Sequence, residues 1–292
     1  MKNRRFHLLV IIALVAAVAS VVGFTARGSG NQSRPATGKP PVQTTLSTGA
    51  TKPKSSSSSA AAAQNAIFRN DLSWTFGGKQ QRGWYLYDAL LAETLDTDDA
   101  PITDDFAAAV TKWQKRRGLG ASGMLDENSW MAMVSHWQGN RLKNRASATP
   151  DQLITAPATD FYDSSRAEEN RQVERATYDA YLKMIAAASD DLKLSANNKY
   201  LKIISAFRSR EYQEMLRRKS PNAGSAGLAV NNSPHFTGRA LDLYVGGDAV
   251  DTKDANRAIQ VNTPAYKWLV RNAERFGFRP YFYEPWHWEY VK

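Results

Sequence analysis

The sequence predicts an α+β protein. A C-terminal domain of a small, mostly antiparallel sheet with flanking helices is preceded by a small all-α domain and an N-terminal transmembrane segment. Three observations predict it. From residue 166 onward, period-two apolar alternation and helical periodicity take turns. Between 66 and 138, aromatic and aliphatic residues recur at helical spacing. Ahead of both lie an uncharged apolar run and a tract with no apolar periodicity.

Taken in order, Lys2, Arg4 and Arg5 precede an apolar run over residues 8–24, near the lower limit of the about 17–25 residues that span a bilayer. The basic flank keeps the N-terminus in the cytoplasm and sends the rest of the chain across the membrane. Ala17-Val18-Ala19 resembles a cleavage site but falls inside the run, which favours a signal anchor over a cleaved signal peptide in residues 1–24. The expected location is the cell envelope. Residues 8–24 anchor the chain in the inner (cytoplasmic) membrane and the folded part is periplasmic, or the protein is exported if the leader is cleaved. Residues 25–65, rich in Ser, Thr, Gly, Pro and Ala, read as a disordered linker that gives reach.

In the 66–138 domain, Trp84, Tyr85, Tyr87, Leu90 and Leu91 suggest one helix, and Phe106, Val110 and Trp113 a second. A third, around 128–134, comes after a turn between Gly118 and Gly123. The run Phe106-x-x-x-Val110-x-x-Trp113-Gln114-x-x-x-Gly118-Leu119 resembles the small helical peptidoglycan-binding domain, which implies glycan as a partner of residues 66–138. The segment that usually continues that pattern departs from it here, as Ser122-Gly123-Met124-Leu125-Asp126. A helical spacer whose aromatics are core is the plain alternative. Residues 139–165 read as a connector.

In the 166–292 domain, helix signals resume at Asp163–Ser165 with Glu168 and Glu169 in the first turn. Val173, Ala176, Ala180, Tyr181 and Met184 share a face. Leu201, Ile203 and Ile204 form a short strand ending towards Arg208, and a helix covers 211–219. Leu241, Leu243 and Val245 alternate with Ala240, Asp242 and Tyr244 as a strand. Residues 246–263 read as an insertion of loop and turn. A helix over 265–276, stopped at Gly277, leads to the final strand.

The chemistry concentrates in Ser233-Pro-His235-x-x-Gly238-x-Ala240-x-Asp242 and Glu284-Pro-Trp-His287. Two imidazoles and one carboxylate suffice to hold zinc with a fourth position left for water. Glu284, three residues before His287, is a candidate base for that water's proton. Pro234 and Gly238 oppose a helix through the first motif. Pro285 provides a bend that turns both Glu284 and His287 inward. Gly238 and Ala240 read as small residues that let backbone approach the metal. The other two of the four histidines, His7 and His136, lack such surroundings, and Glu289 precedes no ligand.

These motifs, with Ser205-Ala-Phe-Arg208-Ser209-x-x-x-Gln213, resemble the LAS-type zinc peptidases and most of all the VanY-like D-alanyl-D-alanine carboxypeptidases, over about residues 166–292. The resemblance implies Zn²⁺ on His235, Asp242 and His287, with Glu284 as catalytic base. It places Arg208 near the scissile carbonyl or the substrate's terminal carboxylate; pairing with Glu211 or Glu214 at helical spacing is the alternative. Ser233, Gln213 and Trp286 are the substrate-contact candidates, Trp286 against the commoner reading of a core aromatic. The implied activity removes terminal D-Ala from peptidoglycan stem peptides. Cross-link endopeptidase, L,D-carboxypeptidase and non-catalytic wall-binding scaffold are the alternatives.

Charge excludes one class of partner. The net charge is +10, but eight Lys or Arg and no acid lie in residues 1–65, which leaves 30 basic against 28 acidic residues beyond. The folded part is nearly neutral, so no nucleic-acid partner is expected. With no cysteine, disulfides, thiol catalysis and Cys-ligated zinc are excluded.

Overall fold

The computed structural model describes residues 56–195, 198–219 and 232–292. The apolar run at 8–24 and the linker up to residue 55 lie outside them. No helix among the described residues is long and apolar enough to cross a membrane.

The first described element is helix α1 (Ser56–Asp71), which begins inside the tract read as linker. The reason is local: an Ala-rich stretch has the highest helix propensity of any composition, and Ala61, Ala62 and Asn65 are buried. Asn65 ties the helix to the turn at 123–125, donating to the Gly123 carbonyl at 2.8 Å and accepting from Leu125 N–H at 2.7 Å.

The all-α expectation for residues 66–138 needs correction. A β-hairpin comes directly after α1, with β1 (Ser73–Phe76) paired antiparallel to β2 (Lys79–Arg82). Gly77 and Gly78 form its two-residue loop with φ of 56° and 75°, the left-handed pair that glycine adopts at least cost. Beyond a 3-10 turn at Tyr85–Tyr87 come α2 (Asp88–Leu95), α3 (Asp104–Arg116) and α4 (Glu127–Gly139). Thr103 caps α3 and Asp126 caps α4. The side chains of the peptidoglycan-binding-like pattern are spent on this fold: Phe106, Val110, Trp113 and Gln114 are buried. Gln114 pins the departing turn by donating to Met124 O and accepting from Gly123 N–H, each at 2.9 Å.

The connector carries β3 (Leu153–Thr155), antiparallel to β4 (Gln172–Glu174). Helix α5 (Arg175–Leu192) therefore starts later than the acidic cue at 168–169 suggests, because Glu174 supplies the cap to Thr177 N–H at 2.8 Å. Next along the chain are β5 (Ile203–Ser205), α6 (Arg210–Lys219) and β6 (Ala240–Leu243). The chain ends with α7 (Asp254–Asn262), α8 (Pro264–Asn272), β7 (Phe278–Pro280) and β8 (His287–Tyr290). Helix α7 lies where loop was expected, since much of its inward face is polar: Asn256, Arg257 and Gln260 are buried beside Val261.

The main sheet runs β5-β6-β8-β7, all antiparallel, with α5 and α8 packed together beside it. The described residues form one compact unit, and its aromatic core is shared between both halves. Phe282, between β7 and β8, lies 4.8 Å from Phe76, 5.5 Å from Tyr87 and 5.9 Å from Trp137 between ring centroids.

Candidate metal centre

Strand pairing brings the two motifs together. β6 and β8 are neighbours in register, with Asp242 opposite His287. His235 arrives from a 3-10 turn at Pro234–Thr237, which Gly238 ends with φ 66°. A side chain at Gly238 would collide with Glu174 N at 2.8 Å. The glycine is thus required by close packing on β4, and not by space around a metal.

His235, Asp242 and His287 are all buried, with one ligand atom from each within 4.8 Å of the others. Asp242 Oδ1 lies 3.3 Å from His235 Nε2 and 2.9 Å from His287 Nδ1. Ligands held about 2.0–2.1 Å from a tetrahedral ion sit roughly 3.3–3.4 Å apart, which the Asp242–His235 pair matches and the Asp242–His287 pair undercuts, so the donor set fits zinc in kind. The far side of each ring is also committed. His235 Nδ1 faces the Ala206 carbonyl at 2.6 Å, and His287 Nε2 faces Glu289 Oε1 at 3.2 Å. Such partners fix which ring nitrogen stays free to ligate.

Burial and the Arg208 charge push His235 down to about 4, its neutral, ligating form. Burial also opposes a charged His287, but hydrogen bonds to Asp242 and Glu289 outweigh it and hold that ring at about 9. Burial would raise Asp242 as well; the Arg208 charge and the hydrogen bond from His287 keep it well below the carboxylate range.

Glu284 lies in the turn between β7 and β8, where its N–H donates to Tyr281 O at 3.1 Å and its carbonyl accepts from His287 N–H at 2.9 Å. This turn is the bend expected at Pro285. The carboxylate is 5% exposed and has no side-chain hydrogen bond among the described residues. Burial raises it above the usual range, and the positive charge of His287 offsets that only in part. An acceptor that no protein donor occupies is what proton transfer requires.

Arg208 meets neither Glu211 nor Glu214. Its Nη2 donates to Asp242 Oδ2 at 2.5 Å and its Nε to Ser205 Oγ at 2.8 Å, while Nη1 reaches towards Gln213 Oε1 at 3.5 Å. The guanidinium braces the oxygen of Asp242 that faces away from the histidines. Gln213 is fully buried behind it. Ser233 is buried at the start of the 3-10 turn, and its hydroxyl caps no N–H there. Trp286 belongs to the hydrophobic core at 3% exposure and gives its carbonyl to Leu243 N–H at 2.8 Å.

Sequence reasoning passed over Glu289. It is fully buried, accepts from Leu142 N–H at 2.9 Å, and pairs with both Arg141 and His287. Period two on a strand puts residues 287 and 289 on one face, so that signal was present.

Residues 170–292 match the family model described as VanY, D-alanyl-D-alanine carboxypeptidase. The C-terminal domain is VanY-like. A solved structure of the LdcB LD-carboxypeptidase, described as revealing the molecular basis of peptidoglycan recognition, is 25% identical over 52% of this chain and 72% of its own. The two structures superpose with a TM-score of 0.36. No curated protein matches the chain.

Proposed function

We propose that the VanY-like domain hydrolyses the terminal D-Ala-D-Ala amide bond of peptidoglycan stem peptides with the help of one zinc ion, outside the cytoplasm. The observation that carries this reading is the convergence of His235, Asp242 and His287, with a buried Glu284 near enough to feel the charges of His287 and Asp242. It falls within a segment that matches a carboxypeptidase family. Bound zinc supplies Lewis acidity and water of lowered pKa.

The chain's own side chains do the rest. Asp242 and the two imidazoles bind the ion, with Ala206 and Glu289 orienting the rings. Glu284 takes the proton from the attacking water and returns it to the leaving amine. Arg208 holds Asp242 in place and adds positive charge to a site whose substrate ends in a carboxylate. The basic flank and apolar run at 8–24 support a membrane tether with the catalytic domain on the far side. Any glycan contact by residues 66–138 falls to side chains other than the buried ones of the pattern.

The test is mass spectrometry after the full chain and zinc meet three substrates: a pentapeptide stem ending in D-Ala-D-Ala, a tetrapeptide stem, and cross-linked dimers. Loss of one alanine from the pentapeptide alone is expected. Conversion of dimers to monomers, or trimming of the tetrapeptide alone, would replace this reading with the endopeptidase or the L,D-carboxypeptidase.

A further inference from the structure

The metal centre has a support that comes from far away in the chain. Arg141 lies just beyond the end of α4, and its guanidinium crosses to Glu289, 148 residues away in sequence. Nε donates to Glu289 Oε1 at 3.1 Å and Nη2 pairs with the same oxygen, while the next residue's N–H, from Leu142, donates to Oε2. Oε1 is the atom that faces His287 Nε2. Nη1 reaches back to Gln138 on α4 at 3.3 Å. The guanidinium also lies 3.9 Å above the Tyr281 ring, and Tyr281 N–H donates to the His287 carbonyl at 3.0 Å. Both partners of Arg141 therefore touch His287, one at the ring and one at the backbone. With side-chain exposures of 12% for Arg141 and 0% for Glu289, solvent screens this pair little.

We propose that Arg141 is a positioning residue for the metal centre, acting through Glu289 to set the ring of His287. The helical half is then part of the catalytic framework. This rests on the metal reading of His235, Asp242 and His287. For His287 Nδ1 to ligate, the proton must sit on Nε2 and point at an ionised, immobile acceptor. Arg141 makes Glu289 that acceptor. Its fork engages one carboxylate oxygen and leaves the other to Leu142.

The experiment uses the full chain, stripped of metal, as wild type, Arg141→Met, Arg141→Lys, Glu289→Gln and the Met/Gln double variant. Zinc affinity is read by competition with a chelating dye, coordination by the visible spectrum of the Co²⁺ form, and folding by circular dichroism and Tm. Wild type should bind one zinc per chain. Arg141→Met should weaken binding by roughly 10–100-fold and shift the cobalt bands, the usual consequence of losing an outer partner of a ligand. Arg141→Lys should lose less. The double variant should bind no worse than Glu289→Gln, because Arg141 works through Glu289.

If Arg141→Met lowers Tm but leaves zinc affinity and the cobalt spectrum as in wild type, the residue only ties two parts of the fold together and the proposal fails while the metal reading stands. A wild-type chain that binds no zinc overturns the metal reading itself, and this proposal with it. Should Arg141→Met not fold, the Arg141→Lys chain decides by the same readings.

Discussion

Replacing Glu284 by Gln separates catalysis from stability more sharply than any other change at the site. The side chain is 5% exposed and no hydrogen bond to its carboxylate exists among the described residues, so an isosteric neutral group breaks no contact. Its carboxyl is raised above the usual range by burial. A raised acid pKa means that the charged form is disfavoured in the fold, a cost present at neutral pH and absent once the group is protonated. Glutamine removes that cost, so Tm should stay level or rise. Zinc should remain bound, because Glu284 is not among the three ligands. Catalysis should fall by about 10²–10⁴, the usual contribution of a general base. That is about 2.7–5.4 kcal/mol on the barrier at about 1.36 kcal/mol per decade. The assay pairs D-Ala release from a pentapeptide with metal content and Tm on one preparation. A Glu284→Gln enzyme within a few-fold of wild type would end the assignment of the base. Loss of zinc in that variant would instead make Glu284 a ligand and break the three-ligand scheme.

Four further outcomes are expected. His235→Ala and His287→Ala should lose both zinc and activity, as equilibrium dialysis with turnover would register. Zinc binding at pH 7 should expel about one proton, since His287 is held at about 9 in the metal-free chain. Calorimetry in buffers of different ionisation heat measures that release, and apparent affinity should climb about tenfold per pH unit towards 9. The same raised value sets the sign for folding. His287 lends the metal-free fold stability that is complete below about 6.5, its ordinary value, and lost as pH rises through about 9. Phe282→Ala should destabilise by about 3–5 kcal/mol, because the ring is 2% exposed among six aromatic neighbours. Urea unfolding with an unchanged midpoint would contradict that packing.

The cluster of His235, Asp242 and His287 was legible in the sequence, as was Glu284, because each sits in a short motif with a proline or glycine that dictates local shape. Pro285 announces the turn that brings Glu284 round to His287, and the alternation at 240–245 announces the strand that carries Asp242. The features that stayed hidden did so for physical reasons. The tract at 56–65 looks like linker by composition, but its alanines form a helix once Asn65 finds the turn at 123–125. Helix α7 has no apolar stripe to detect, because Arg257 is buried by stacking 4.3 Å from the Tyr283 ring and bonding the Tyr87 hydroxyl. The hairpin was marked by Gly77-Gly78 between alternating residues, a signal outweighed by the helical periodicity on either side. Arg141 carried no local signal. Nothing near it in the chain says that its partner is Glu289.

The packing around the turn at 281–284 bears on what the first half of the fold is for. A wall-binding module that hangs on a tether would keep an aromatic face open to glycan. Here Trp74, Trp130 and Trp137 are 2%, 0% and 5% exposed, and Trp74 and Trp137 reach Phe282, two residues before Glu284. From the other side, Arg257 lies against Tyr283 and bonds Tyr87. The turn that carries Glu284 is thus clamped on consecutive residues by elements from before residue 142 and by α7. Placing a base to within about 0.5 Å requires neighbours whose own positions are locked. A four-strand sheet with a short turn at its edge does not supply them unaided. Trp74, Tyr87 and Trp137, buried against Phe282, contribute to that rigidity.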